Sequence, residues 1–152
     1  MFVNFVSKMY ALTIDSSVFI SDYQERDIFH KESRAFFRAL GEIGSVVIPA
    51  MVPFEVCNAL VRYKVEFDST TILINFSQLQ LVDVDLELIS HTIPILSKFY
   101  LKASDALLVA VAALHKTTLI SWDKQLLKEA ARVVPAMTPT EYLKGLEINN
   151  VS

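Results

Sequence analysis

Several absences narrow this 152-residue chain before anything present in it is interpreted. Its three glycines, Gly41, Gly44 and Gly145, are too few and too scattered for a GxGxxG turn or a P-loop, which excludes a glycine-rich phosphate cradle. Cys57 is the only cysteine, so neither an internal disulfide nor a cysteine-based zinc site can form, and a reducing cytoplasm is the expected compartment. His30, His91 and His115 lie far apart with no His-x-x-x-His or His-Cys spacing, so zinc is not expected either. No GxSxG elbow occurs, and a Ser-His-Asp arrangement has no local support. Positive charge is not in surplus: 14 basic against 17 acidic residues leave a net charge of −3, which argues against coating nucleic acid by bulk attraction. The longest wholly apolar run, 106–114, falls well short of the about 20 residues that span a bilayer. Asp15 interrupts the apolar N-terminus before a signal-peptide core develops. The expectation is a soluble cytoplasmic protein forming one domain over residues 1–152, with no internal repeat or linker.

Hydrophobic content of 53% is slightly above the about 45–50% of ordinary domains, which points to a partner surface. Short runs that read as strands occupy 10–14, 45–48, 79–84, where apolar and polar residues alternate, and 117–121, with an edge strand expected at 133–135. Helical patterns fill the intervals: 27–40 stopped by Gly41, a helix with Pro53 in its first turn, 68–78, 85–100 kinked or split at Pro94, 105–116, 124–132 and 138–146. Alternation of this kind predicts an α/β fold with a mostly parallel central sheet covered on both faces.

The stretch 101–123, LKASDALLVAVAALHKTTLISWD, organises the rest. A helix of about ten residues starting at Asp105 travels roughly 15 Å. A strand of about five residues running back along it returns roughly 16 Å, so Asp123 is expected beside Asp105. Asp15 follows the first strand and Glu55 lies in the first turn of the helix after the second. All four acids are thus placed at the edge outside the carboxyl ends of the strands, where open α/β sheets bind ligands. Each has an ordinary structural explanation: Asp15 or Ser16 as a helix cap, Glu55 as a complement to the helix dipole. Together they would repel one another unless a cation is present, and an all-oxygen set suits Mg²⁺ or Mn²⁺.

Asp15-Ser16-Ser17, Glu55 within PAMVPFEVCNAL, SDALLVAVA around Asp105 and LISWD ending at Asp123 make a pattern that resembles PIN-domain ribonucleases, especially the VapC-type toxins of toxin–antitoxin pairs. The resemblance covers nearly the whole chain. One departure is Ser121, where the family commonly has threonine two residues before the last acid; serine keeps the hydroxyl. The resemblance implies a Rossmann-like three-layer α/β/α sandwich, Mg²⁺- or Mn²⁺-dependent endoribonuclease activity, and a homodimer held inactive by a small antitoxin. It implies that Asp15 and Asp105 hold the metal directly and that Asp123 joins the metal site through water. Glu55 would join them or orient the attacking water, with Ser17, Ser121 and Asn58 steadying the carboxylates.

Lys31, Arg34 and Arg38, at i, i+3 and i+7 on one helix, are the candidate contacts to an RNA backbone, with Arg62 as a second candidate. An antitoxin is expected to cover apolar surface near Phe19, Tyr23 and Phe37 and to send a basic side chain towards the acids. Competing functions are a housekeeping RNA-processing nuclease or a non-catalytic binding module of the same fold. A phospho-acceptor receiver domain lacks its paired acids here, and a dehalogenase-type phosphatase lacks its Asp-x-Asp.

Overall fold

The computed structural model describes residues 11–41 and 45–150. Within them each strand is followed by one or two helices: β1 (Leu12–Ile14), α1 (Ser16–Tyr23), α2 (His30–Leu40), β2 (Val47–Pro49), α3 (Val52–Arg62), α4 (Ser69–Ser77), β3 (Gln80–Val82), α5 (Leu86–Phe99), α6 (Ala103–His115), β4 (Thr118–Ile120), α7 (Lys124–Ala130), β5 (Ala136–Met137) and α8 (Pro139–Asn150). Among the described residues no helix is long and apolar enough to cross a membrane.

β1 pairs in parallel with β4, setting Leu12 beside Thr118 and Ile14 beside Ile120. β4 pairs with β5 and β2 with β3, both in parallel. A parallel bridge between Leu12 and Val46 brings β2 alongside β1, so the strands run in the order β3-β2-β1-β4-β5. The chain builds outward from β1 to β3 on one side, then returns through α5 and α6 to build β4 and β5 on the other. The crevice between the carboxyl ends of β1 and β4 is therefore the topological switch point of the sheet.

Strand side chains alternate between two apolar layers. Val46 and Ile48 join a main core with Val18, Phe36, Val52, Val56 and Leu60, while Val47 joins a smaller cluster with Leu88, Leu107, Ala110 and Val111. Helices α1 to α4 pack on one another, and α5 packs on α6, which lies against β1, β2 and β4. This is the expected three-layer α/β/α sandwich. β1 and β2 are buried on both faces, which is why they read as apolar runs, whereas β3 at the sheet edge keeps Gln80 and Leu81 exposed.

Local boundaries depart from the sequence reading for identifiable reasons. The edge strand lies at Ala136–Met137 instead of 133–135, because Leu119 N–H pairs with the Pro135 carbonyl and Ser121 N–H with that of Met137. α2 begins at His30, since the Asp27 carboxylate accepts the Phe29 N–H and holds a turn ahead of the helix. Pro94 sits inside α5 without dividing it. α8 continues to Asn150, past the expected end at 146. Tyr10, expected to open the first strand, lies outside the described residues.

Gly41 ends α2 at φ 61°, ψ −138°, a conformation that side-chain-bearing residues rarely adopt, although no atom would meet an added Cβ. Gly41→Ala is thus expected to cost about 1–3 kcal/mol through backbone strain alone. Gly145 lies within α8 with equally open space, so Gly145→Ala is expected to gain about 0.5–1 kcal/mol. Denaturant melts of the two variants should move in opposite directions from wild type.

Candidate active site

Asp15 leaves β1 in extended conformation, its N–H held by the Ile120 carbonyl at 2.9 Å. Its carboxylate is buried, and Oδ2 accepts the Ser17 hydroxyl at 2.6 Å and the Ser121 hydroxyl at 2.7 Å. Asp15 occupies the cap position of α1 but makes no side-chain cap bond. One hydroxyl from the start of α1 and one from beyond β4 therefore hold this oxygen, while Ser16 Oγ donates to Oδ1 at 3.4 Å. Ser17 Oγ in turn accepts the Trp122 N–H at 3.2 Å, and Ser121 Oγ accepts the Asp123 N–H at 2.9 Å.

Asp105 lies in the first turn of α6, whose cap position is Lys102, so the acid is not a cap. Burial pushes its pKa up to about 6, the charges of Asp15, Asp123 and Glu55 add to the rise, and Lys102 opposes it. Glu55 stands in the first turn of α3. Burial raises its pKa as well; the Ser104 hydroxyl opposes that rise, the charge of Asp15 adds to it, and Ser16 opposes it. Asp105 thus lies within electrostatic reach of the other three predicted acids. Asp123 follows its ordinary structural role: Oδ1 accepts the N–H groups of Gln125 at 2.9 Å and Leu126 at 3.1 Å and caps α7. Its Oδ2 remains outside the cap.

Other predicted residues are placed differently. Asn58 is exposed and makes no hydrogen bond to Glu55 among the described residues; Ser104 and Ser16 stand in that role. Arg34 Nε lies 2.8 Å from Asp22 Oδ1, and Nη2 donates to the Asp22 carbonyl at 3.0 Å, so this cation is already engaged. Lys31 and Arg38 are exposed and make no ion pair among the described residues. Arg62 ends α3, about 10 Å along the helix from Glu55 at 1.5 Å per residue. Sequence reasoning missed Lys102, the cation that draws the Asp105 pKa down. Its only sequence signal was a position three residues ahead of Asp105.

Among the described residues no three acidic, histidine or cysteine side chains converge as a ready-formed metal centre. Their chemistry nevertheless fits a hard divalent cation: every nearby donor is a carboxylate or hydroxyl oxygen, and like charges already raise the proton affinity of Asp105.

The PIN-domain family profile matches residues 12–147. The chain belongs to the PIN-domain family. No curated protein sequence matches it significantly. Among solved structures this PIN domain is similar to a toxin–antitoxin complex from Klebsiella pneumoniae, at TM-score 0.64 and 20% identity over 85% of this chain and 97% of the other. It is similar to VapC20 from Mycobacterium tuberculosis, described as a sarcin–ricin loop cleaving toxin, at TM-score 0.68 and 15% identity over 82% and 97%. VapBC2 from Rickettsia felis, solved on a fragment of its promoter DNA, aligns at TM-score 0.62 and 13% identity over 84% and 98%. Identities this low establish the shared fold.

The raised pKa of Asp105 has a definite consequence for the stability of the PIN domain. Between its ordinary value of 3.8 and about 6, the folded state holds a proton at this site that the unfolded state releases. Stability is therefore greatest below that window and falls as pH rises through it. For a half-exposed group the loss is expected to be about 1–2 kcal/mol, reduced from the full shift by solvent screening. Without metal, Asp105→Asn should remove this slope and melt higher than wild type at pH 7, and excess Mn²⁺ should raise the wild-type melting temperature more than the variant's. Parallel pH profiles, or equal metal shifts, would take Asp105 out of the site.

Proposed function

We propose that this PIN domain is a metal-dependent endoribonuclease that hydrolyses RNA phosphodiester bonds as the toxin of a toxin–antitoxin pair, acting in the cytoplasm. The observation that carries the proposal is that Asp105, beside the switch point between β1 and β4, lies within electrostatic reach of Asp15, Asp123 and Glu55. Asp15, Asp105 and Asp123 would hold Mg²⁺ or Mn²⁺. When bound, such a cation neutralises charge around phosphorus and makes water acidic enough to attack near neutral pH. Asp15 enters this set already oriented by Ser17 and Ser121. Glu55, whose proton affinity is raised, is suited to orient the attacking water and take its proton. Lys102 is exposed beside the acids and is suited to a substrate phosphate. RNA as substrate draws support from the description of VapC20 as a sarcin–ricin loop cleaving toxin.

The test is cleavage of a mixed pool of single-stranded RNAs with Mn²⁺. Asp15→Asn and Asp105→Asn are expected to abolish it, and Ser17→Ala to lower it about 10–100-fold. In binding assays Lys102→Ala should reduce the slope of log affinity against log salt by about 0.7, the share of one phosphate contact on a single strand. Cleavage by wild type no faster than by Asp105→Asn would sink the proposal.

A partner surface is part of the same proposal. Phe19, Tyr23, Phe37, Phe76 and Leu79, with Asp22 and Asn75, line a groove of about 160 Å³. Three of these are the residues expected to meet an antitoxin. Phe19 packs on Phe37 and Phe76 with ring centroids 5.1 and 4.9 Å apart, which gives the groove a firm aromatic floor. Toxin–antitoxin complexes among the structural neighbours favour a small antitoxin as its occupant. A homodimer is proposed as well: Leu86, Ile89 and Ile93 form an exposed apolar row along α5 at i, i+3 and i+7. Tyr23→Asp is expected to weaken capture of a co-expressed antitoxin at least tenfold while leaving Mn²⁺ binding intact. Unchanged capture in a pull-down would move the partner to another surface.

A further inference from the structure

We propose that Trp122, the only tryptophan of the chain, is a positioning residue that holds the acid-bearing turn after β4 against α2 so that the site can take a divalent cation. The inference rests on the nuclease proposal and extends it to residues outside the acidic set. Residues 121–123 belong to no helix or strand, yet they supply the Ser121 hydroxyl to Asp15 and carry Asp123 itself. Ser121 N–H is anchored to the Met137 carbonyl behind the turn. Sideways, the turn is held through Trp122.

The indole ring stacks on Phe29 with centroids 4.2 Å apart and planes 6° from parallel. Its Nε1–H donates to Ser33 Oγ at 2.8 Å. Ser33 is fully buried on α2 and lies 2.6 Å from the Ser21 hydroxyl, which donates to the Val18 carbonyl within α1. The His30 ring meets the Ser21 carbonyl at 2.9 Å and fastens the start of α2 to the same point. On its other side the Trp122 backbone N–H reaches Ser17 Oγ, the hydroxyl that donates to Asp15. An unbroken chain of hydrogen bonds thus runs from α1 and α2 through Trp122 to the Asp15 carboxylate. The ring is placed to govern the angle at which Ser121 and Asp123 meet Asp15 and Asp105. Residues one step removed from metal ligands commonly act in this way, by limiting the orientations open to the ligands.

A ring that merely fills space between α2 and the sheet would affect stability alone. Two variants separate the roles. Trp122→Phe keeps an aromatic ring for Phe29 and removes the N–H; Ser33→Ala removes the acceptor and keeps the tryptophan. Each is titrated with Mn²⁺ by calorimetry and melted in EDTA. The positioning role predicts Mn²⁺ affinity about tenfold weaker in each, and a double variant no weaker than either single one, because one shared bond is lost. Titration of wild type with Mg²⁺ should also change the emission of the single tryptophan, with a midpoint that shifts equally in Ser33→Ala. Variants that melt lower but bind Mn²⁺ as wild type does would reduce Trp122 to packing and leave the nuclease proposal standing. A wild-type protein that gives no heat with Mn²⁺ would overturn the nuclease proposal and this one with it.

Discussion

The parallel pairing of β1 with β4 is the constraint on which the site depends. It joins segments more than a hundred residues apart, and its register sets Ile14 beside Ile120, so that the chain leaves both strands at one level. Asp15 and Ser121 then emerge as neighbours, and one carboxylate oxygen of Asp15 receives a hydroxyl from each strand's continuation. A slip of one residue on either strand would turn its side chains to the other face of the sheet and carry Ser121 away from Asp15. Below the site, Thr13 and Thr117 meet at 2.6 Å on the opposite face of the pair, so the register is pinned there by a buried polar contact as well as by apolar packing. The same pairing that closes the core sets the chemistry.

Much of this was legible in the sequence because it follows from lengths. Asp105 and Asp123 come within electrostatic reach because the chain between them goes out along α6 and returns through β4, and Glu55 follows from Pro53 opening a helix just after a strand. Side-chain partners were less legible. Ser104 is adjacent to Asp105 in sequence but acts on Glu55 of another helix, a relation that only packing creates. Helical spacing placed Arg34 in a basic row, yet spacing carries no information about Asp22 on α1, which claims it. Asn58 was read from its position one turn beyond Glu55, but the helix turns its side chain to solvent. The edge strand slipped past Pro135 because proline has no N–H to donate to the ladder, although its carbonyl still accepts from Leu119.

Asp22 shows how the partner groove and the basic row are linked. Burial raises the pKa of this carboxylate, while Arg34, His30 and Arg38 act in the opposite direction. The Arg34 contact lies at 2.8 Å but without hydrogen-bond alignment at Oδ1, so the pair is held by charge. Arg34 thus compensates an acid in the groove wall, and its removal would leave a half-buried carboxylate without its main partner. A change at this arginine would disturb the groove as well as any phosphate contact, and Arg38 also acts on Asp22, which makes Lys31 the cleaner reporter of an RNA path.

Within the site the four acids fall into two kinds. Asp15 and Asp123 are satisfied by this chain, through two hydroxyls in one case and two helix N–H groups in the other. Asp105 and Glu55 are strained: burial and neighbouring carboxylates raise the proton affinity of both, and at Glu55 the Ser104 and Ser16 hydroxyls offset only part of that rise. The satisfied pair defines where a cation would sit, and the strained pair supplies the reason for one to bind. A proton on Asp105 and a divalent ion near it relieve the same repulsion, so they compete. With Asp105 titrating at about 6, cation binding should displace little proton at pH 7 and progressively more below pH 6, and affinity should fall accordingly. Calorimetry in buffers of different ionisation enthalpy measures that proton release directly. A release that stayed constant from pH 5 to 7 would mean that the cation is held without Asp105, and the satisfied pair would then have to account for the site by itself.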